Sequence, residues 1–218
     1  MNKNVGPSAA LAGIPAGLQA LGPWQGRRQL FVRFAAEAET ATMYTADAMG
    51  NELKRWTGRG AFHSIAIGGR DPLGNADFLC ASFDNHAPPL PVLLDVDGQR
   101  PDALAPLLKH LGLLQVVLDG AAADANLERA CESLGAAKAA SLAHALVVLP
   151  GDATSDGQLL RIVEQAHSAS EQVQVVVHPP ANVPVDRDRR WIMLMERATA
   201  LHGDTRFMLR LPPPTGMR

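Results

Sequence analysis

Along this chain, short continuous apolar runs alternate with longer stretches whose apolar positions recur every three or four residues. The first pattern predicts strands and the second helices. Leu30-Phe31-Val32-Arg33-Phe34 is a strand candidate, followed by a polar loop with Glu37 and Glu39. Ala46, Met49, Leu53 and Trp56 then share a helical face, which Gly58 and Gly60 close. Phe62 to Ile67 predicts a strand and Asn75 to Phe83 a short helix. Pro91-Val92-Leu93-Leu94 runs into Asp95-Val96-Asp97-Gly98. Pro101 then suits the first turn of a helix striped by Leu104, Leu107, Leu108 and Leu111.

The alternation continues. Leu114 to Leu118 predicts a strand ending at Asp119-Gly120, and Leu127, Ala130, Cys131 and Leu134 stripe an alanine-rich helix. Ala145 to Leu149 is the next strand, closed by Pro150-Gly151-Asp152. Ser155 with Gln158 fits a capping box, and Leu159, Ile162, Val163 and Ala166 follow at helical spacing. Val173 to Val177 ends at His178-Pro179-Pro180. Trp191, Leu194, Met195 and Ala198 mark the last helix, and Arg206 to Leu211 the last strand. Strands that are apolar throughout are those of parallel sheets with both faces covered. The order predicts an all-parallel α/β fold, either a partial or complete (β/α) barrel or a doubly wound sheet. Residues 29–211 form one domain on this reading. Residues 1–28 form a mobile segment or a covering helix with Leu11, Ile14, Leu18 and Leu21, and residues 212–218 form a Pro-rich tail.

Composition narrows the function classes. The 218 residues are 47% hydrophobic and 19% charged, which suits one globular core. A net charge of −2 gives no basic field for nucleic acid. No apolar run reaches the roughly 18–20 residues of a membrane span. Gly13, Pro15 and Gly17 interrupt the start as a signal-peptide core, so a cytoplasmic protein is the expectation. Cys80 and Cys131 are far apart and suit neither a disulfide framework nor a zinc site. On apolar helix faces they read as small buried hydrophobes.

In parallel α/β folds, function gathers at the carboxyl ends of the strands. Here those ends carry Arg70, Asp71, Asp95, Asp97, Asp119, Asp152 and His178. Converging carboxylates would suit a divalent cation, a cationic ligand or acid–base chemistry. Asp and Gly also follow strands simply because they make turns and helix caps, and both readings stay open. His178, before two prolines, is either a loop residue or an acid–base group. Gly68-Gly69 permits a tight turn with or without a ligand, and the Lys-Ser/Thr of a P-loop is absent.

In order, these pieces resemble the core of the radical S-adenosylmethionine (SAM) enzymes, over approximately Gln29 to Leu211. Gly68-Gly69-Arg70-Asp71-Pro72 is similar to the family's Gly-Gly-Glu-Pro turn, which meets the methionyl amine of SAM; Arg70 is an extra residue. Leu93-Leu94-Asp95-Val96-Asp97-Gly98 resembles the third strand, where the family often has Thr-Asn-Gly. Val116-Val117-Leu118-Asp119-Gly120, followed by the helix with Leu127 and Arg129, resembles the fourth strand's Ser-Leu-Asp-Gly run. The resemblance implies a partial or complete barrel, and with the strand-end positions it makes Gly68, Gly69, Arg70, Asp71, Asp95, Asp97 and Asp119 ligand-binding candidates, beside His178, which stands on its strand-end location alone. Where the family's CxxxCxxC loop would lie, Ala35 to Thr45 contains no cysteine. A [4Fe–4S] cluster has no ligands there, so no iron–sulfur cluster and no radical chemistry are expected.

The expectation is a pseudoenzyme that serves as a binding or partner subunit. Its partner would be an active radical SAM enzyme or a peptide substrate, in peptide or cofactor maturation. Two alternatives stand beside it. One is a metal-dependent barrel enzyme in which Asp71, Asp95, Asp97 and Asp119 hold a divalent cation and His178 is the acid–base group. The other is SAM or nucleoside binding without radical chemistry.

Overall fold

The structure, a computed structural model, describes residues 6–120, 123–180 and 186–211. Its strands are β1 (Ser8–Gly13), β2 (Ala16–Leu18), β3 (Arg28–Phe34), β4 (Thr42–Thr45), β5 (Ser64–Gly69), β6 (Val92–Val96), β7 (Leu113–Asp119), β8 (His144–Leu149), β9 (Gln174–Val177) and β10 (Thr205–Phe207). Its α-helices are α1 (Ala46–Thr57), α2 (Ala76–Asn85), α3 (Ala123–Ala139), α4 (Asp156–Ala169) and α5 (Arg189–Leu201).

All ten described strands belong to one mixed sheet, which corrects the expected all-parallel arrangement to a mostly parallel one. β3, β5, β6, β7, β8, β9 and β10 lie side by side in chain order and run parallel. β1 extends the β3 edge antiparallel, β4 pairs with β1, and β2 pairs with the start of β3. Parallel neighbours need a crossover, and α1 to α5 supply all but the one between β6 and β7.

The main core lies where the helices meet the sheet. Leu30, Val32, Ile65, Ile67, Leu94, Leu114, Val116, Leu146, Val148 and Val175 face it, with Met49, Leu53, Leu134, Ile162 and Leu194 from the helices. Alternate strand positions face the other way. There Ala66, Leu93, Leu113 and Ala145 form a second, smaller cluster against Trp24 and Phe31. The helices therefore cover one face, not both, and residues 19–27 lie across the other. That arrangement explains runs that are apolar on both faces yet hold Gln29, Arg33, Asp95 and Gln115 at inward positions.

Three expectations are corrected at the level of elements. Residues 101–111 form two 3-10 turns, Pro101–Ala103 and Ala105–His110, instead of an α-helix. Pro106 has no N–H to donate, so the α-helical ladder cannot run through it. The segment around Leu11, Ile14 and Leu18 forms β1 and β2 instead of a covering helix, with Leu11 and Ile14 buried and Leu18 exposed. The final strand stops at Phe207, short of Leu211. The proline tail, residues 212–218, lies outside the described residues, as does part of the 179–190 loop.

Candidate functional site

The Gly68-Gly69 turn sits at the carboxyl end of β5, beside Arg33 and Phe34 of β3 in register. Its two glycines have different jobs. Gly69 has φ +96°, and a Cβ there would lie 2.4 Å from the Phe34 carbonyl oxygen, so only glycine fits. At Gly68 a Cβ would meet only the Asp95 side chain, at 3.6 Å, an ordinary contact. Gly68 thus leaves a gap on the helix-free face between Arg33 and Asp95. With neighbouring strands about 4.8 Å apart, that gap separates the two backbones by roughly 10 Å.

Two adjoining cavities open at these strand ends. The first, of about 280 Å³, lies between residues Gln19–Leu21 and the ends of β3, β5 and β6, with Arg33, Gly68 and Asp95 in its walls. The second, of about 290 Å³, is lined by Asp71, Asp97 and Asp119 along with Val117 and Leu149. Leu21, Gly69 and Asp95 border both. Six of the eight residues that the sequence singles out therefore line one region: Gly68, Gly69, Asp71, Asp95, Asp97 and Asp119. Arg70 and His178 do not line these cavities.

Within that region the turn-and-cap reading accounts for two acids. Asp71, in the left-handed conformation at φ 44°, accepts from the Gly74 N–H at 2.9 Å and pairs with Arg100 at 2.8 Å. Asp97 accepts from the Gln99 N–H at 3.0 Å, an Asx turn. Arg70 points to solvent and pairs with Glu37 at 3.3 Å. Among the described residues, no three His, Cys, Asp or Glu side chains gather as a metal ion would require. The four aspartates line a cavity without converging on a point.

Asp95 differs from the other acids. Protein surrounds its carboxyl, which keeps only a narrow solvent contact through the cavity. Desolvation pushes its pKa up to about 7, and the neighbouring Gln115 amide pulls weakly the other way. Gln115 is opposite Asp95 in the β6–β7 register, fully buried, and neither of its amide atoms completes a hydrogen bond. Asp95 thus changes between proton donor and anion near neutral pH, in a cavity whose lining also includes Arg33. Arg33 pairs with Glu39 at 2.9 Å.

His178 lies beyond the end of β9, buried beneath the 19–27 segment. Its Nδ1–H donates to the Met208 carbonyl at 2.8 Å, and its Nε2 accepts from the Gly22 N–H at 3.0 Å. Both ring nitrogens are therefore engaged with backbone, which corrects the expectation of a histidine presented as an acid–base group. Burial lowers its pKa, with Arg210 adding to the effect and the Met208 bond opposing it.

Arg33, Gln19 and Gly22 escape the sequence reading. Arg33 carries a signal, as the one charge within the apolar run Leu30–Phe34, because such a residue must face something polar. Gln19 and Gly22 carry none, since nothing local reveals that residues 19–27 cross the sheet. The two cysteines lie on α2 and α3, and burial raises both thiol pKa values. No thiolate set fits an iron–sulfur cluster.

No protein-family model matches the sequence, and no curated protein matches it. Among solved structures, a provisionally assigned isomerase from Sinorhizobium meliloti in an open-loop conformation is similar at 13% identity and TM-score 0.30. The match covers 76% of this chain and 47% of that one, so this chain spans about half the isomerase's length. A truncated 3-deoxy-D-arabino-heptulosonate 7-phosphate synthase from Thermotoga maritima is similar at 11% identity and TM-score 0.36, over 76% of this chain and 69% of that one. Likeness of this degree carries no argument about activity.

Proposed function

We propose that this protein is a cluster-free binding subunit on a partial (β/α) barrel of radical-SAM-like ancestry, cytoplasmic, and acting beside a protein partner. Its cavity at Gly68 and Asp95 holds a small polar ligand. The observation that carries this reading is the gap at Gly68, which leaves a cavity of about 280 Å³ lined by Arg33 and by the buried Asp95. Arg33 would meet an anionic group and Asp95 a donor or cationic one. Such wall chemistry, with apolar Phe31 and Leu21 between, is that of a ligand pocket. The absence of cysteine from Ala35–Thr45 supports a role without radical chemistry.

A second reading, SAM or nucleoside binding without radical chemistry, is favoured by the placement of Gly68 and Gly69 in the cavity wall. The metal-dependent enzyme has no corresponding observation, because the aspartates do not converge.

The test is native mass spectrometry of the full chain purified from its own cells, beside a Gly68→Leu variant. A small molecule or a protein partner should accompany the wild type, and the small molecule should be lost from the variant. SAM added to the apo protein should raise its melting temperature if the second reading holds; saturation at about 100 Kd contributes about 2.7 kcal/mol. A wild type that is monomeric, ligand-free and indifferent to SAM would sink both readings.

A further inference from the structure

We propose that His178 is a positioning residue that clamps the cavity wall, releasing it when the imidazole takes up a proton. The wall is the short stretch Gln19–Leu21. It continues directly into Gly22, whose N–H donates to His178 Nε2 at 3.0 Å. The other ring nitrogen is committed to the Met208 carbonyl, so the proton must sit on Nδ1 and the Nε2 lone pair must face Gly22. A second proton would turn that acceptor into a donor and set N–H against N–H. One bond would be lost and a buried charge would appear with Arg210 nearby.

The surroundings show why this contact sets the wall's position. Gly22 has φ +77°, and a Cβ there would lie 1.8 Å from Gln115 Oε1 and 3.2 Å from Val147 Cγ2. The backbone is therefore pressed onto the sheet at this point. On either side it is held by Gln19 N–H to the Arg27 carbonyl at 2.9 Å, Gly26 N–H to the Gln19 carbonyl at 2.9 Å, Leu211 N–H to the Ala20 carbonyl at 3.2 Å, and the packing of Trp24 on the smaller cluster. Beneath Gly22, the buried Gln115 side chain makes no hydrogen bond, so it does not tie the segment to the sheet. Among the described residues, His178 supplies the side-chain acceptor that fixes the middle of the segment.

Other titratable or charged groups face the same segment. His63 stacks edge-on against Trp24 at 4.8 Å, with Arg27 beside it, and Asp95 lies at the cavity floor. The experiment must separate them from His178. The consequence for ligand capture rests on the binding reading above, whereas the clamp itself is measured without ligand.

Hydrogen exchange of the full chain, corrected for intrinsic rates, would be compared at about pH 7.5 and about pH 5. In the wild type, protection of the peptide spanning residues 18–27 should fall by about tenfold or more at the lower pH, while β5 to β8 stay protected. His178→Gln keeps an acceptor for Gly22 but does not titrate, so its protection should be independent of pH. His178→Leu should be unprotected at both. Equal wild-type protection at the two pH values would overturn the proposal. So would a His178→Gln variant that loses protection as the wild type does, because His63 or Asp95 would then be responsible. Should His178→Leu fail to fold, the comparison of wild type with His178→Gln still decides. A clamp that behaves as expected in a protein that captures no ligand would sustain the clamp and defeat only the binding reading.

Discussion

Asp95 and the glycines around it carry the most direct consequences of single atoms. The Asp95 carboxyl is raised from 3.8 to about 7, so between those values the native protein retains a proton the unfolded chain has released. Its stabilising contribution is complete below about pH 4 and is lost as pH rises toward 7. The limiting slope is about 1.4 kcal/mol per pH unit, or on the order of 4 kcal/mol across the window, less whatever solvent in the cavity screens. Asp95→Asn should flatten this dependence and leave the protein more stable than wild type near pH 8, as read by urea denaturation at several pH values. His178 acts with the opposite sign. Its folded pKa is lowered, so stability should decline as pH falls below 6.5, and His178→Gln should abolish that limb. The glycines divide in the same physical way. Gly68→Ala should fold with less than about 1 kcal/mol of change, since its Cβ meets nothing closer than 3.6 Å. Gly69→Ala should be destabilised by several kcal/mol, because the obstacle is the Phe34 backbone. Chemical denaturation of the pair checks the contrast.

The elements follow from local rules wherever the chain can obey them alone. α1 begins where Thr45 accepts from the Ala48 N–H, and α4 where Ser155 accepts from the Gln158 N–H at 3.1 Å. Ser155→Ala should therefore cost about 1 kcal/mol, measured by thermal or urea unfolding. The Ser155 cap and the apolar stripes of α1, α3, α4 and α5 are visible in the sequence because each depends on neighbours within a few residues. The 101–111 stretch departs from those local rules. Its leucine stripe is real, and Leu104 and Leu107 are fully buried, but Pro106 in the middle forces 3-10 turns. β1, β2 and β4 were missed for a different reason. They pair antiparallel beside the parallel strands, β1 with partners some twenty to forty residues away, and their sequence pattern is weak.

For the whole molecule, the decisive feature is that helices cover one face and residues 19–27 the other. Trp24 closes the smaller cluster with Phe31, Ala66, Leu93, Leu113 and Ala145. Trp24→Ala should cost about 2–3 kcal/mol and expose that face, read as increased binding of a hydrophobic dye with α-helical circular dichroism retained. The outer helices should survive because their core is separate. No helix among the described residues is long and apolar enough to cross a membrane.

Legible in the chain alone were the alternation from β5 through α5, a mostly parallel α/β class, and the carboxyl-end position of Gly68, Gly69, Asp71, Asp95, Asp97 and Asp119, but not the antiparallel β1, β2 and β4. The legible features depend on periodicity and on the rule that loops follow strand ends. The sequence also determined that Ala35 to Thr45 has no thiolates. Tertiary packing is what desolvates Asp95 while Asp71 and Asp97 serve as cap and turn, since identical side chains acquire different roles from what surrounds them. It alone placed Gly22 against His178, 156 residues away in the chain. Contacts of that separation leave no local pattern, because their geometry depends on the packing of every element between them.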